Sequence, residues 1–208
     1  MKSRSKQIRF DWYECDMPKS PTLCECHSWE EFLFACLLES DPSIVSYETQ
    51  APPIRYLKDS RSLTYRPDIY AKKTNGQNFI AEVKPEAVCS QDFPWISAVN
   101  QWAETHGASF RFITNESVDD NAFLALNWFR ITRYIQAARD EPLEGLLETA
   151  EEALRQAKSL TVGAFTAMFS ASPEHVQHAV PCHLLHFGIA SAPLADEPYR
   201  HSLVLSAV

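Results

Sequence analysis

The chain has 208 residues, 45% of them hydrophobic and 22% charged, ordinary globular proportions that exclude disorder along its whole length. Its net charge of −8 argues against a protein that holds nucleic acid by charge alone. The longest apolar run, 32–38, is too short to span a bilayer, and the basic start at Lys2, Arg4 and Lys6 has no apolar segment behind it. No membrane association is therefore expected, and a cytoplasmic location is; six scattered cysteines without a disulfide-framework spacing agree with reduced thiols.

In chain order, the first 25 residues read as irregular, with a short strand over 8–13. Ser28 and Glu31 form a capping box that starts a helix over 29–39, and Asp41-Pro42 stops it. Strands are expected over 44–47, 54–57, 64–72 and 77–84. A helix over 95–106 closes at Gly107, a fifth strand covers 110–114, and Asp119 and Asp120 lead into a long amphipathic helix over 122–138. Asp140-Glu141-Pro142 marks a boundary between a first domain, 1–140, and a second, 141–208. The second reads as helices over 143–158, 162–169 and 173–187, followed by a tail able to form a small β-wing.

The chemistry concentrates in the hairpin 64–84. A three-residue loop, Thr74-Asn75-Gly76, pairs Ile69 with Ala81 and places Asp68 opposite Glu82. A one-residue slip would turn the apolar set Phe79, Ala81 and Val83 away from the set Pro67, Ile69 and Ala71. In the chosen register Asp68, Glu82 and Lys84 project from one face. Opposed carboxylates repel, and a divalent cation between them offsets the repulsion. Mg²⁺ suits such a pair when substrate phosphate supplies further oxygens.

Pro67-Asp68, a turn, then Glu82-Val83-Lys84 resembles the PD-(D/E)XK nuclease superfamily. The flanks sharpen the resemblance. Ser28-Trp29-Glu30-Glu31-Phe32-Leu33, Tyr47-Glu48-Thr49-Gln50, Tyr65-Arg66-Pro67-Asp68 and Ala81-Glu82-Val83-Lys84-Pro85 are similar to the TnsA-like transposon endonucleases over 28–138. The resemblance implies an α/β restriction-endonuclease-like core with a small, mostly helical, winged-helix-like C-terminal domain. It implies a Mg²⁺-dependent endonuclease, with Mn²⁺ able to substitute, that cuts the non-transferred 5′ strand at transposon ends in a bacterial cytoplasm. Carried onto this chain, the metal-binding and catalytic acids fall on Glu31, Asp68 and Glu82, and the catalytic lysine on Lys84. Glu30 competes with Glu31 for the helix position, Glu31 has a capping role open to it, and Gln50 is a further candidate for the architecture of the site.

Arg66, which shares the Asp68 face, and Arg55, Lys72 and Lys73 are candidate phosphate contacts. Residues 141–208 hold three basic and eight acidic side chains, a poor balance for DNA and a better one for a protein partner. The family resemblance implies a TnsC-like ATPase regulator docked there and a TnsB-like DDE transposase beside it, with transposon-end DNA as substrate. Two other readings remain: a free-standing restriction or repair nuclease, and a non-catalytic adaptor on a nuclease scaffold. Cys24, Cys26 and His27, and the row His175, His178, Cys182, His183 and His186, lack paired Cys-x-x-Cys spacing and read as structural groups rather than zinc sites.

Overall fold

The computed structural model describes residues 12–208. The strand expected over 8–13 lies mostly outside them; β1 (Tyr13–Cys15) pairs antiparallel with β2 (Cys24–Cys26). Helix α1 (Trp29–Ser40) begins where the capping box places it, with the Ser28 hydroxyl accepting the Glu31 N–H at 3.1 Å. Its end is held by a residue far away in sequence. The Lys19 ammonium donates to the carbonyls of Leu38, Glu39 and Asp41, putting a cation on the negative end of the helix dipole.

β3 (Ile44–Thr49) is followed by β4 (Ile54–Lys58), β5 (Arg61–Tyr65), β6 (Ile69–Lys73) and β7 (Asn78–Lys84). The single strand expected over 64–72 is in fact two. β5 folds back on β4 through a two-residue turn in which Asp59 and Ser60 take φ of +49° and +63°. Pro67 has no N–H for a ladder and ends that strand, so β6 starts afresh at Ile69 and joins a different sheet. The short α2 (Glu86–Cys89), then α3 (Ile96–Thr105) and β8 (Ala108–Thr114) follow, with Gly107 at φ +63° ending the helix as expected.

The central sheet has the order β3-β6-β7-β8. β6 is antiparallel to both of its neighbours, β3 and β7, whereas β7 and β8, linked across α3, are parallel. The β6–β7 register pairs Ile69 with Ala81, Tyr70 with Ile80 and Ala71 with Phe79, as the three-residue loop requires. β7 is covered on both faces. Phe79, Ala81 and Val83 pack with α1 residues, while Ile80 packs with Trp95, Val99 and Ala103 around α3. This makes three layers, and the odd and even side chains of β7 enter different cores.

The remainder is mostly helical: α4 (Asn115–Asp119), α5 (Ala122–Ala137), α6 (Glu144–Ala157), β9 (Ser159–Thr161), α7 (Val162–Met168), α8 (Glu174–His186), β10 (Ala190–Ser191) and β11 (Val204–Ala207). The tail does form a small sheet, in the order β10-β11-β9. α8 runs through Pro181 without interruption. α5 serves two cores: Ala125 packs in the α1 cluster, and Trp128, Ile131 and Ile135 pack in the C-terminal cluster with Phe165, Leu184 and Leu203. The second core thus begins upstream of Asp140. Among the described residues no helix is long and apolar enough to cross a membrane.

Candidate active site

Asp68 sits in the break between β5 and β6, and it is pinned through both its backbone and its side chain. Its carbonyl accepts the Gln50 N–H at 2.7 Å, and its carboxylate oxygen Oδ2 accepts the Val83 N–H at 2.8 Å. Gln50 makes the first contact from φ +50°, a left-handed conformation unusual for a residue with a side chain. What Gln50 contributes is thus main-chain positioning of Asp68. The Val83 bond brings the Asp68 side chain onto β7, beside the two residues the register selects.

Glu82 is buried in the face of β7 that looks toward α3. Lys84 Nζ lies 2.6 Å from Glu82 Oε1 and 3.8 Å from Asp68 Oδ2, so one ammonium faces two carboxylates. The other Glu82 oxygen, Oε2, accepts the Tyr65 hydroxyl. Tyr65 is itself held by a parallel stack on Trp95, with centroids 4.0 Å apart and planes 5° apart. Burial, then the charge of Glu82, push the Tyr65 hydroxyl up, so it remains a donor. Neither Tyr65 nor Trp95 was singled out for this role from sequence. The available signal was an aromatic residue three before Asp68 that must end a strand over the acid pair.

The electrostatics are conflicted in a way the core alone does not need. Burial first, then the charges of Glu82 and Glu31, push the Asp68 carboxyl up to about 8, against the pull of Lys84 and the Val83 N–H. Burial works to lower Lys84, but Asp68, Glu82 and Glu31 outweigh it and hold the ammonium above its ordinary value. Lys84 is therefore a fixed cation at neutral pH. It can position or stabilise an anion, and it does not serve as a proton acceptor.

Glu31 is near enough for its charge to be felt at Asp68 and Lys84, but its oxygens are engaged elsewhere. Oε2 accepts the His27 N–H at 2.8 Å, and the Ser28 hydroxyl donates to Oε1 at 3.3 Å. The capping role left open in the sequence is the one the side chain adopts; Glu30, one residue earlier, is half-buried. Among the described residues no three His, Cys, Asp or Glu side chains converge as a ready-made metal site. The fold assembles a core of Asp68, Glu82 and Lys84, with Glu31 behind it.

The basic candidates divide. Arg66 is exposed beside the site, 3.4 Å from the Gln50 carbonyl. Arg55 is exposed on β4 and shares a cleft with Trp102 and His106. Lys72 and Lys73 lie toward the opposite end of β6, with Lys73 3.9 Å from Asp41. At ~3.3 Å per residue, Lys73 is roughly 16 Å along the strand from Asp68. Arg66 is thus the basic candidate beside Asp68, and Lys73 is not.

The histidine row does not gather. His175 faces Glu141, His178 stacks on Tyr134, Cys182 faces Tyr199 and His186 faces Glu39. A cleft of about 520 Å³ takes in His183, His186, Ile135, Leu143 and Phe187, and neither Asp68 nor Glu82 lines it.

No protein-family model matches the chain, and no curated protein matches it either. The arrangement around Asp68 therefore speaks for itself.

Proposed function

We propose that the chain is a metal-dependent DNA endonuclease of the TnsA-like kind, acting as the strand-cleaving subunit of a transposase. On this reading its core has the PD-(D/E)XK architecture and its C-terminal part a winged-helix-like one. The observation that carries the proposal is the meeting of Asp68, Glu82 and Lys84 on one face in the register that also buries the apolar hairpin positions. The donor set suits a hard, oxygen-seeking cation: two buried carboxylates raise the proton affinity of Asp68, and a divalent cation relieves that repulsion as a proton does. Asp68 and Glu82 would hold Mg²⁺ or Mn²⁺, which when bound would polarise the scissile phosphate and acidify a water. Tyr65 and Val83 orient the two carboxylates, Lys84 faces the charge that develops on phosphate, and Arg66 holds the neighbouring backbone. The acidic 141–208 part supports docking of an ATPase regulator rather than DNA, with a DDE transposase supplying end recognition.

Calorimetry with Mn²⁺ on the wild type and on Asp68→Ala tests the reading. Saturable binding lost in the variant, followed by strand cleavage on reconstitution with a transposase, supports it. Equal binding by both proteins overturns it. A second reading, a non-catalytic adaptor, draws on Glu31 being spent on its cap and Glu82 having both oxygens partnered. It predicts no cleavage in any reconstitution.

A further inference from the structure

β1 and β2 set two cysteines directly across from each other: Cys15 pairs with Cys24 in the antiparallel register. Directly opposed residues in such a pair have Cα atoms ~4.5–5.5 Å apart, within the ~4.4–6.8 Å that a disulfide spans. The two thiols are neighbours across this pair. Cys24 is wholly buried and also reaches the Tyr47 hydroxyl at 3.7 Å, whereas Cys15 is half-exposed. The neighbouring Cys26 and Cys36 are wholly buried, out of reach of an oxidant in solution.

We propose that Cys15 and Cys24 are a modification site: they form a reversible cross-strand disulfide with a low-molecular-weight disulfide as oxidant. Cys15, the more accessible of the two, takes the first step. Its thiolate attacks one sulfur of the oxidant, the S–S bond breaks, and one small thiolate leaves. The Cys24 thiolate then attacks Cys15 Sγ, forms the protein disulfide and expels the second small thiolate. Two protons pass from the protein thiols to the released thiolates, and the protein's two electrons reduce the oxidant. The division of roles follows access: Cys15 is partly exposed and meets the oxidant first, while Cys24, wholly buried across from it, resolves the adduct. The bond would clamp the hairpin immediately ahead of the Ser28–Glu31 cap, since β2 runs into His27, whose N–H holds Glu31.

The test uses the full chain carrying Cys89→Ser, which removes the other half-exposed thiol, and oxidised glutathione at about pH 8. Thiol titration and non-reducing peptide mapping should show loss of two of the five remaining thiols, from the original six, in a single Cys15–Cys24 cross-link reversed by dithiothreitol. Adding Cys15→Ser should abolish the reaction, and Cys24→Ser should stop it at a glutathione adduct on Cys15. An otherwise intact protein that stalls at that adduct, loses no thiols or links other cysteines overturns the proposal. If Cys24→Ser does not fold, the peptide map and the Cys15→Ser protein still decide it.

Discussion

His186 and Glu39 meet across the seam between the two cores, with imidazole Nε2 2.9 Å from carboxylate Oε2. Glu39 is wholly buried, and its other oxygen accepts the Lys19 N–H and the Tyr47 hydroxyl, each at 3.0 Å. One carboxylate on α1 therefore satisfies donors from the N-terminal loop, from β3 and from α8. Glu39→Ala leaves those donors unpaired in the interior and should cost about 3–5 kcal/mol. Urea unfolding followed by tryptophan fluorescence measures it, and a loss below about 1 kcal/mol would show that the network is dispensable.

Asp68→Asn should stabilise the protein while disabling its site. The folded carboxyl binds its proton more tightly than the unfolded one, so between pH ~4 and ~8 the folded state carries more protons and stability falls as pH rises. The variant removes that slope. At pH 8 its melting midpoint should lie about 2–4 °C above wild type, the shift that ~1 kcal/mol gives in a chain of this size, and at pH 4 the two should coincide. A midpoint that falls at pH 8 contradicts the electrostatic account.

Lys84→Met separates metal holding from chemistry. Removing the ammonium leaves Asp68 and Glu82 with more uncompensated charge, so Mn²⁺ should bind at least as tightly as to wild type. Cleavage in a reconstituted transposase should drop by about 10²–10³-fold, the cost of losing one group aimed at a developing charge. Parallel calorimetry and single-turnover cleavage read the split; equal losses in both would mean that Lys84 only holds the fold.

Tyr65→Phe keeps the stack on Trp95 and deletes the hydroxyl that orients Glu82. On the proposed reading, in which Glu82 holds the metal, Mn²⁺ affinity should fall about tenfold with the melting midpoint nearly unchanged. Unchanged affinity would assign Tyr65 to packing alone.

His183 has both ring nitrogens buried without a partner. Burial, then the charge of His186, hold its pKa down at about 4. The unfolded chain takes up a proton near pH 6.5 that the folded one refuses, so stability is lost as pH falls from there through about 4. His183→Leu removes two unmet polar atoms, which should raise the midpoint at pH 7 and flatten the slope between pH 4 and 6.5. Thermal melts across that range test both effects.

The hairpin register was legible because three constraints coincide there: the loop residues, the apolar alternation and the requirement that both sets be buried. The same logic placed Asp68, Glu82 and Lys84 on one face. The β4–β5 hairpin was not legible, since Asp59 and Ser60 carry neither the Asn-Gly nor the Asp-Gly signal and accept positive φ without glycine. Lys19 and His186 reach Glu39 only through tertiary packing, which leaves no periodic trace. Lys72 and Lys73 looked close to Asp68 in sequence, but an extended strand carries them away from it at over 3 Å per residue.

α5 is a rigid rod of 16 residues, ~24 Å long, whose upstream part is set against α1 and whose downstream part is set among α7, α8 and the terminal strands. Its downstream part places residues of the C-terminal cluster ahead of Asp140. A shorter chain ending there would carry Trp128, Ile131 and Ile135 bare into water and would clump rather than work as a detached half. Both cores therefore share α5 as a common wall. The cap that holds Glu31 lies at one end of α1 and the carboxylate that holds His186 at the other, so one helix runs from the seam to the neighbourhood of the acid pair.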